Sequence, residues 1–416
     1  MRSPCSILIY PRGLIVSLFL TACCLGNEHE ASHQWPHWRG PGDDSRMTDP
    51  RLPLKWNDQS IAWRTTIPGV GQSTPIVWAN RIFLTSADED GQNRYVHGID
   101  RKTGKIAWSR TIPSPPPAVK HNMNSYAAAS CATDGKHVVS FFGRAGVHCF
   151  DVEGTPLWSR NDLGAFAGPW GTAASPLLVG NLVIQNCDAD ENAYLIAFDK
   201  KTGKTIWKVA RDDYRGWSTP FLIKTKDRSE LILNGHRGLR AYDPLTGQEL
   251  WFCQSFNGRG APTPIYNDDK IIVLNGKPGD IYAVRPGGQG DVTDTHMAWH
   301  TPRGGRDIPS PAISGNFILA VGLRGVASCY DLKTGKELWK KRLGGIFTAS
   351  PLVINEKFMV HNEVGEVFVI EPNQDFVIHA QNQLSREDDE LFHASTTPHA
   401  GQLLFRSNRA LYCIGH

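Results

Sequence analysis

Neither sign of charge prevails in this sequence: 44 Lys and Arg stand against 41 Asp and Glu, a formal balance of +3 over 416 residues. Such a balance gives no electrostatic case for nucleic acid or for an anionic membrane face as partner. Long apolar runs are also missing. The run from Leu14 to Leu20 is too short to span a bilayer, and no later stretch is long enough. The nine cysteines include no Cys-x-x-Cys pair, which argues against a zinc ribbon, and no Gly-x-Ser-x-Gly nucleophile elbow occurs. What the chain has in excess is turn residues. Its 40 Gly and 27 Pro are roughly 16% of the total against an average near 12%, which favours many tight turns over long helices.

Arg2 and Arg12 precede the Leu14–Leu20 run, and residues 1–26 read as a secretory signal. The run ends in Leu20-Thr21-Ala22-Cys23, which resembles the bacterial lipobox, where the Cys is lipidated after cleavage. The alternative is ordinary cleavage near Gly26, leaving no anchor. Either way the mature protein is expected outside the cytoplasm, in the periplasm or as an outer-membrane lipoprotein facing it, touching membrane only through the anchor. Residues 27–53 read as a linker or N-terminal extension. His29-Glu-Ala-Ser-His33 in it matches the zinc-protease string, but no apolar helical face accompanies it, so it reads as solvated linker. Cys149, Cys329 and Cys413 occupy strand positions filled elsewhere by Ala197, Ala241 and Ala283, and read as small buried residues.

One unit recurs. Ala197-Phe-Asp-Lys-Lys-Thr-Gly-Lys-Thr-Ile-Trp207 has close relatives ending at Trp108, Trp251 and Trp339, with the Asp-to-Trp spacing unchanged. Weaker copies end at Trp158 and Trp299, and Ile378 replaces the Trp in another. The second recurring element is a small residue, then Pro, then an apolar strand: Ser73-Thr-Pro, Ala174-Ser-Pro, Ser218-Thr-Pro, Pro262-Thr-Pro, Pro309-Ser-Pro, Ala349-Ser-Pro and Thr396-Thr-Pro, with Ser125-Tyr-Ala-Ala as a copy lacking Pro. Proline suits the first residue of a strand, where its missing N–H is harmless. Alternating runs such as Leu182–Asn186 and Tyr194–Phe198 supply the next two strands, Asp-x-x-Thr-Gly turns the chain, and the Trp strand completes a four-stranded antiparallel unit. Such a sheet cannot bury both faces alone, whereas a ring of them can.

Eight inner-strand starts predict eight blades over residues 54–416, an all-β propeller. The count closes only if the strand around Trp63 joins the C-terminal blade, which ends in Ala410–Ile414 without an outer strand of its own.

The Asp-x-x-Thr-Gly-Lys-x-x-Trp and small-x-Pro combination resembles the PQQ-like β-propeller repeat of quinoprotein dehydrogenases and of outer-membrane assembly lipoproteins of the BamB type. The opening Trp35-Pro-His-Trp-Arg-Gly-Pro41 also looks like the head of many exported PQQ-like propellers. The resemblance implies fold more than activity. A quinoprotein would need PQQ with calcium, a catalytic Asp and, in many, a disulfide of adjacent cysteines; the one adjacent pair here, Cys23-Cys24, lies at the signal boundary. Asp188-Ala-Asp190-Glu-Asn192 begins like a calcium loop but has Ala193 where glycine is needed. No catalytic, cofactor or metal residue is therefore assigned. The expected function is a non-enzymatic binding or assembly scaffold for an envelope protein or small ligand, the alternative a PQQ-dependent oxidoreductase.

In a propeller, the loops leading into the inner strands converge on one axis. Here they carry His121, Trp170, Arg215, Trp217, Arg259, Arg306, Asp307 and His393, aromatic and charged types suited to a binding face. The same types could equally plug the channel or pair internally. The lipobox generates the first testable expectation: Cys23→Ala should abolish palmitate labelling in a bacterial host and free the protein from membranes. Wild type that takes up no label and fractionates as soluble would remove the anchor.

Overall fold

In a computed structural model the described residues are Met1, 34–115, 119–255, 259–277, 279–303, 307–387 and 389–415, and Cys23 and the 29–33 string fall outside them. Residues from Gln34 onward form one unit of eight sheets. The blades follow the order read from the repeat. In blade 3, Leu177–Val179, Leu182–Cys187, Tyr194–Asp199 and Thr205–Ala210 pair antiparallel in sequence order, from the axis outward. The second and third strands are buried on both faces because each blade is sandwiched between two others: every residue of Leu182–Cys187 is buried. Thr205–Ala210, at the rim, alternates. The cysteines at 131, 149, 187, 253, 329 and 413 are all free and buried, acting as small apolar residues.

The recurring outer-strand Trp has two physical consequences. Within a blade, each Trp stands opposite a small residue on the third strand: Gly98 faces Trp108, Cys149 faces Trp158, Ala197 faces Trp207, Cys329 faces Trp339 and Cys413 faces Trp63. The indole therefore lies down over its own sheet and reaches the next blade. There its Nε1 donates to a carbonyl of the neighbouring blade's turn between third and fourth strands: Trp63 to Arg101 (3.1 Å), Trp108 to Val152 (3.0 Å), Trp158 to Lys200 (2.7 Å), Trp207 to Pro244 (3.2 Å) and Trp299 to Leu332 (3.2 Å). Gly104 has φ of 70°, and a Cβ on it would stand 2.6 Å from the Trp63 ring, so both turn and docking require glycine. Trp251 departs from the pattern and donates to the buried Glu230 (2.9 Å), because the turn of the following blade is replaced by the longer segment Arg285–His296. At Ile378, where the Trp is absent, Trp56 stands between blades 7 and 8: its backbone N–H donates to Asn382 Oδ1 (2.9 Å) and its ring lies 5.6 Å from Phe405.

The ring closes as the count required. Ile61–Thr66 pairs antiparallel with Ala410–Ile414, so the last blade has strands from both ends of the chain. A second closure lies at the axis. One Ser or Thr per blade offers its hydroxyl oxygen to the backbone N–H of the blade before: Thr74 N–H to Ser130 (2.9 Å), Ser130 to Ser175 (3.0 Å), Ser175 to Thr219 (3.0 Å), Thr219 to Thr263 (2.9 Å), Thr263 to Ser310 (2.9 Å), Ser310 to Ser350 (3.0 Å), Ser350 to Ser395 (3.0 Å), and Ser395 back to Thr74 (3.2 Å). This ring corrects two repeat assignments. Blade 2 begins at Ser130, not Ser125, because only Ser130 stands at the ring position. In blade 8 Ser395 holds that position, and Pro398 lies inside the strand Thr397–His399.

Residues 34–56 form a strap across the face opposite the converging loops. Trp35 exchanges backbone hydrogen bonds with Val77 of blade 1 (2.9 and 2.8 Å), and the Pro36 carbonyl accepts from Thr133 of blade 2. Arg39 then donates beneath the axis to carbonyls of Thr263 (3.2 Å) and Pro311 (2.8 Å), at the starts of blades 5 and 6. Arg46–Met47 pairs parallel with Val353–Ile354 of blade 7. The string Trp35-x-x-Trp-Arg-Gly is thus an axial seal, with Trp35 and Arg39 both buried.

Deleting residues 27–67 removes both the strap and the outer strand of blade 8. The expected outcome is aggregation or a loss of most of the stability, since the Ala410–Ile414 edge becomes exposed. Trp63→Ala alone should cost about 3 kcal/mol in denaturant unfolding. A monomeric truncation melting like the parent would refute this account of closure.

Candidate functional site

The strap leaves a one-ended cavity of about 240 Å³ on the axis. Trp38 lines it from the strap side, and the hydroxyl ring forms its waist: Thr74, Ser130, Ser175, Thr219, Ser310, Ser350 and Ser395 all line it. The mouth is formed by the loops that precede the inner strands. Six of the expected residues are brought together there: His121, Trp170, Trp217, Arg259, Asp307 and His393. Arg306 lies outside the described residues. Arg215 pairs with Asp190 of the adjacent acidic loop (2.7 Å) and lines a minor crevice together with Trp170 and Trp217. Asp188 of the same loop holds Arg211 (2.6 Å), which also donates to Tyr242, so the calcium-like string is a pair of arginine clamps.

The mouth residues differ in how far their bonding capacity is used. Trp170 is flanked by His121, with rings 22° apart and centroids at 4.4 Å, and by the Arg259 guanidinium, 4.4 Å from its centroid. Trp217 donates to the Gly171 carbonyl (2.8 Å). His393 meets Glu363 through Nδ1 (3.0 Å), and Thr348 donates to the same carboxylate (3.1 Å). Asp307 is buried and bonded through Oδ2 to Arg303, while its Oδ1 has no partner among the described residues. Burial therefore dominates and pushes its carboxyl up to about 6, with Arg303 offsetting only part of the desolvation.

Sequence reasoning missed Trp38, Lys277 and the hydroxyl ring as lining residues. Trp38 had a signal, the Trp-x-x-Trp-Arg-Gly string, but its destination depended on where the strap crosses. Lys277 lies in a turn between second and third strands, which shares the mouth face because antiparallel strands return there.

Behind the rim, His361 is buried, its Nε2 against the Ala394 carbonyl (3.1 Å) and Nδ1 against Thr396 (3.3 Å). Burial pushes its pKa down to about 4. The native imidazole stays neutral where the unfolded one takes a proton, so this contribution is complete above pH 6.5 and is lost as pH falls towards 4. The shift corresponds to about 3 kcal/mol. The melting temperature should drop over that window and His361→Gln should flatten the drop; an unchanged acid limb in the variant would count against it.

Comparisons with known proteins agree with this architecture. The sequence model of the family described as outer membrane protein assembly factor BamB matches residues 48–161, 92–255 and 145–379. The outer membrane protein assembly factor BamB of Burkholderia pseudomallei is 26% identical over 306 residues, covering 68% of this chain and 69% of that protein. Among solved structures, a europium-containing methanol dehydrogenase superposes with a TM-score of 0.72 at 11% identity, covering 92% of this chain and 98% of that one. BamB from Moraxella catarrhalis superposes with a TM-score of 0.64 at 14% identity, covering 86% and 99%. At such identities the two structures establish a shared fold alone. The family match spans most of the blades, and with the closed eight-bladed ring it means that this chain belongs to the PQQ-like β-propeller family described as outer membrane protein assembly factor BamB.

Proposed function

We propose that this protein is an exported, non-catalytic scaffold of the bacterial envelope that engages an assembly partner through its mouth face. The observation that carries this reading is a division of labour among residues. The repeated Asp, Thr, Gly and Trp of the rim and strap face are consumed in turns and docking, whereas the mouth loops differ blade by blade. On that face Arg259 and Lys277 have no ion pair among the described residues, and the apolar side chains of Ile346 and Val364, in adjacent loops of blade 7, are exposed. Arginine without an ion pair and exposed aliphatic side chains on one face are the composition of a protein-binding surface. The relative named as an assembly factor supports the same class of role.

The quinone alternative asks for several oxygen donors converging on a calcium ion. Among the described lining residues Asp307 is the one carboxylate, and Arg303 engages it. Asn124 Oδ1 already accepts the Ser125 N–H, and Gln72, whose Nε2 donates to the Met123 carbonyl, adds a single uncharged amide oxygen. This donor set does not fit calcium-held PQQ.

Photocrosslinking residues placed at Ile346 and Arg259 should capture an envelope protein in cells, whereas the same probe at Leu157, on the outer rim, should not. Adducts from Leu157 alone would move the partner surface to the rim and sink the mouth-face reading.

A further inference from the structure

The mouth face and the cavity beneath it are chemically different. The face is broad and partly aliphatic; the cavity is narrow, closed at its base, and has polar groups in excess of their partners. Its volume of about 240 Å³ leaves room for a small ligand such as one six-membered ring with its substituents.

The excess polar capacity is concentrated at one corner. Arg259, Lys277 and Asp307 come from three separate segments that meet at Gly276. A Cβ on Gly276 would lie 3.1 Å from the Arg259 carbonyl and 3.2 Å from that of Asp307, and the Asp307 N–H donates to the Gly276 carbonyl (3.0 Å). Arg259 engages Trp170 with the face of its guanidinium, and its in-plane N–H groups have no acceptor among the described residues, which leaves them to grip a carboxylate. Lys277 adds a second cation without an ion pair among the described residues. Asp307 Oδ1 is a buried acceptor with no donor among the described residues, a deficiency that a ligand hydroxyl would relieve. Below them, seven ring hydroxyls line the wall; each accepts a backbone N–H through its oxygen and keeps its own proton to donate. The Trp217 indole provides an apolar wall.

A ligand that satisfies all of these must be compact and anionic at one end, must carry a hydroxyl donor for Asp307 and oxygen acceptors for the ring, and must present one apolar face. An aromatic acid has the charge and the face but leaves Asp307 and the hydroxyls unanswered; a neutral sugar leaves the two cations unanswered. We propose that the axial cavity is a binding site for a carboxylated monosaccharide of the uronic-acid type, with its carboxylate on Arg259 and Lys277 and a ring hydroxyl donating to Asp307. This rests on the mouth face being the binding face, but it concerns a small ligand and not the protein partner.

The test is titration of the full-length protein with glucuronate, followed by calorimetry and tryptophan fluorescence, with glucose and benzoate as comparison probes. Expected is saturable glucuronate binding that exceeds both comparisons by about tenfold or more. The double variant Arg259→Gln/Lys277→Gln, which gives up the Arg259 contact with the Trp170 ring, should stay folded with a melting temperature within a few degrees of the parent and lose at least about tenfold in glucuronate affinity. Benzoate binding as tightly as glucuronate would overturn the proposal in favour of an aromatic acid. Glucuronate that fails to saturate, or binds the folded double variant as well as the parent, would overturn the site itself. Failure of the crosslinking experiment leaves this titration intact, and failure of the titration leaves the partner surface intact, so the two readings fall separately.

Discussion

Closure of the ring at its axis is the constraint on which the rest of the molecule depends. Eight sheets around a common centre bring eight inner strands so close that their first N–H groups, lacking a ladder partner within their own sheet, face the neighbouring blade. The ring of Ser and Thr hydroxyls answers all eight at once, each blade serving the one before. No member can be left out without orphaning a buried donor, at about 1–3 kcal/mol, so the number of blades and the positions of these hydroxyls are set together.

The rim obeys a second rule of the same kind. A tryptophan is too large to lie flat within one blade, so each folds over a small residue opposite it and delivers its N–H to the next blade's turn. The turn must then combine a left-handed glycine with open space above it. Asp, Thr and Gly at these turns are thereby spent on geometry, which is why side chains free to bind something else are found on the opposite face. Where the rule lapses, other residues take over: Glu230 receives Trp251, and Trp56 of the strap occupies the junction that Ile378 cannot fill.

The strap converts a channel into a pocket. Arg39 is buried beneath the axis with carbonyls of blades 5 and 6 as its acceptors, and burial pushes its pKa down to about 10. Trp38 beside it faces the cavity. A passage open at both ends would exchange water freely; one sealed at the base has a single approach, and the unpaired groups at its mouth decide what enters.

The eight-bladed fold, the antiparallel order within each blade and the loan of the Trp63 strand to the last blade were legible in the sequence, because spacing and a count of strand starts carry that information locally. His121, Trp170, Trp217, Arg259, Asp307 and His393 were also legible as a group, since topology alone sends their loops to one axis. What tertiary structure decided is which of them remain available. Arg215 and Arg259 are indistinguishable as residues before an inner strand, yet Asp190 is within reach of the first and only an indole face meets the second. Likewise Ser125 and Ser130 are both small polar residues ahead of a strand, and only the position of the neighbouring blade selects Ser130 for the ring. Local pattern determines a strand and its turn; whether a charge is paired, or a hydroxyl meets an N–H, depends on residues dozens or hundreds of positions away, which only the closed ring brings within hydrogen-bonding distance.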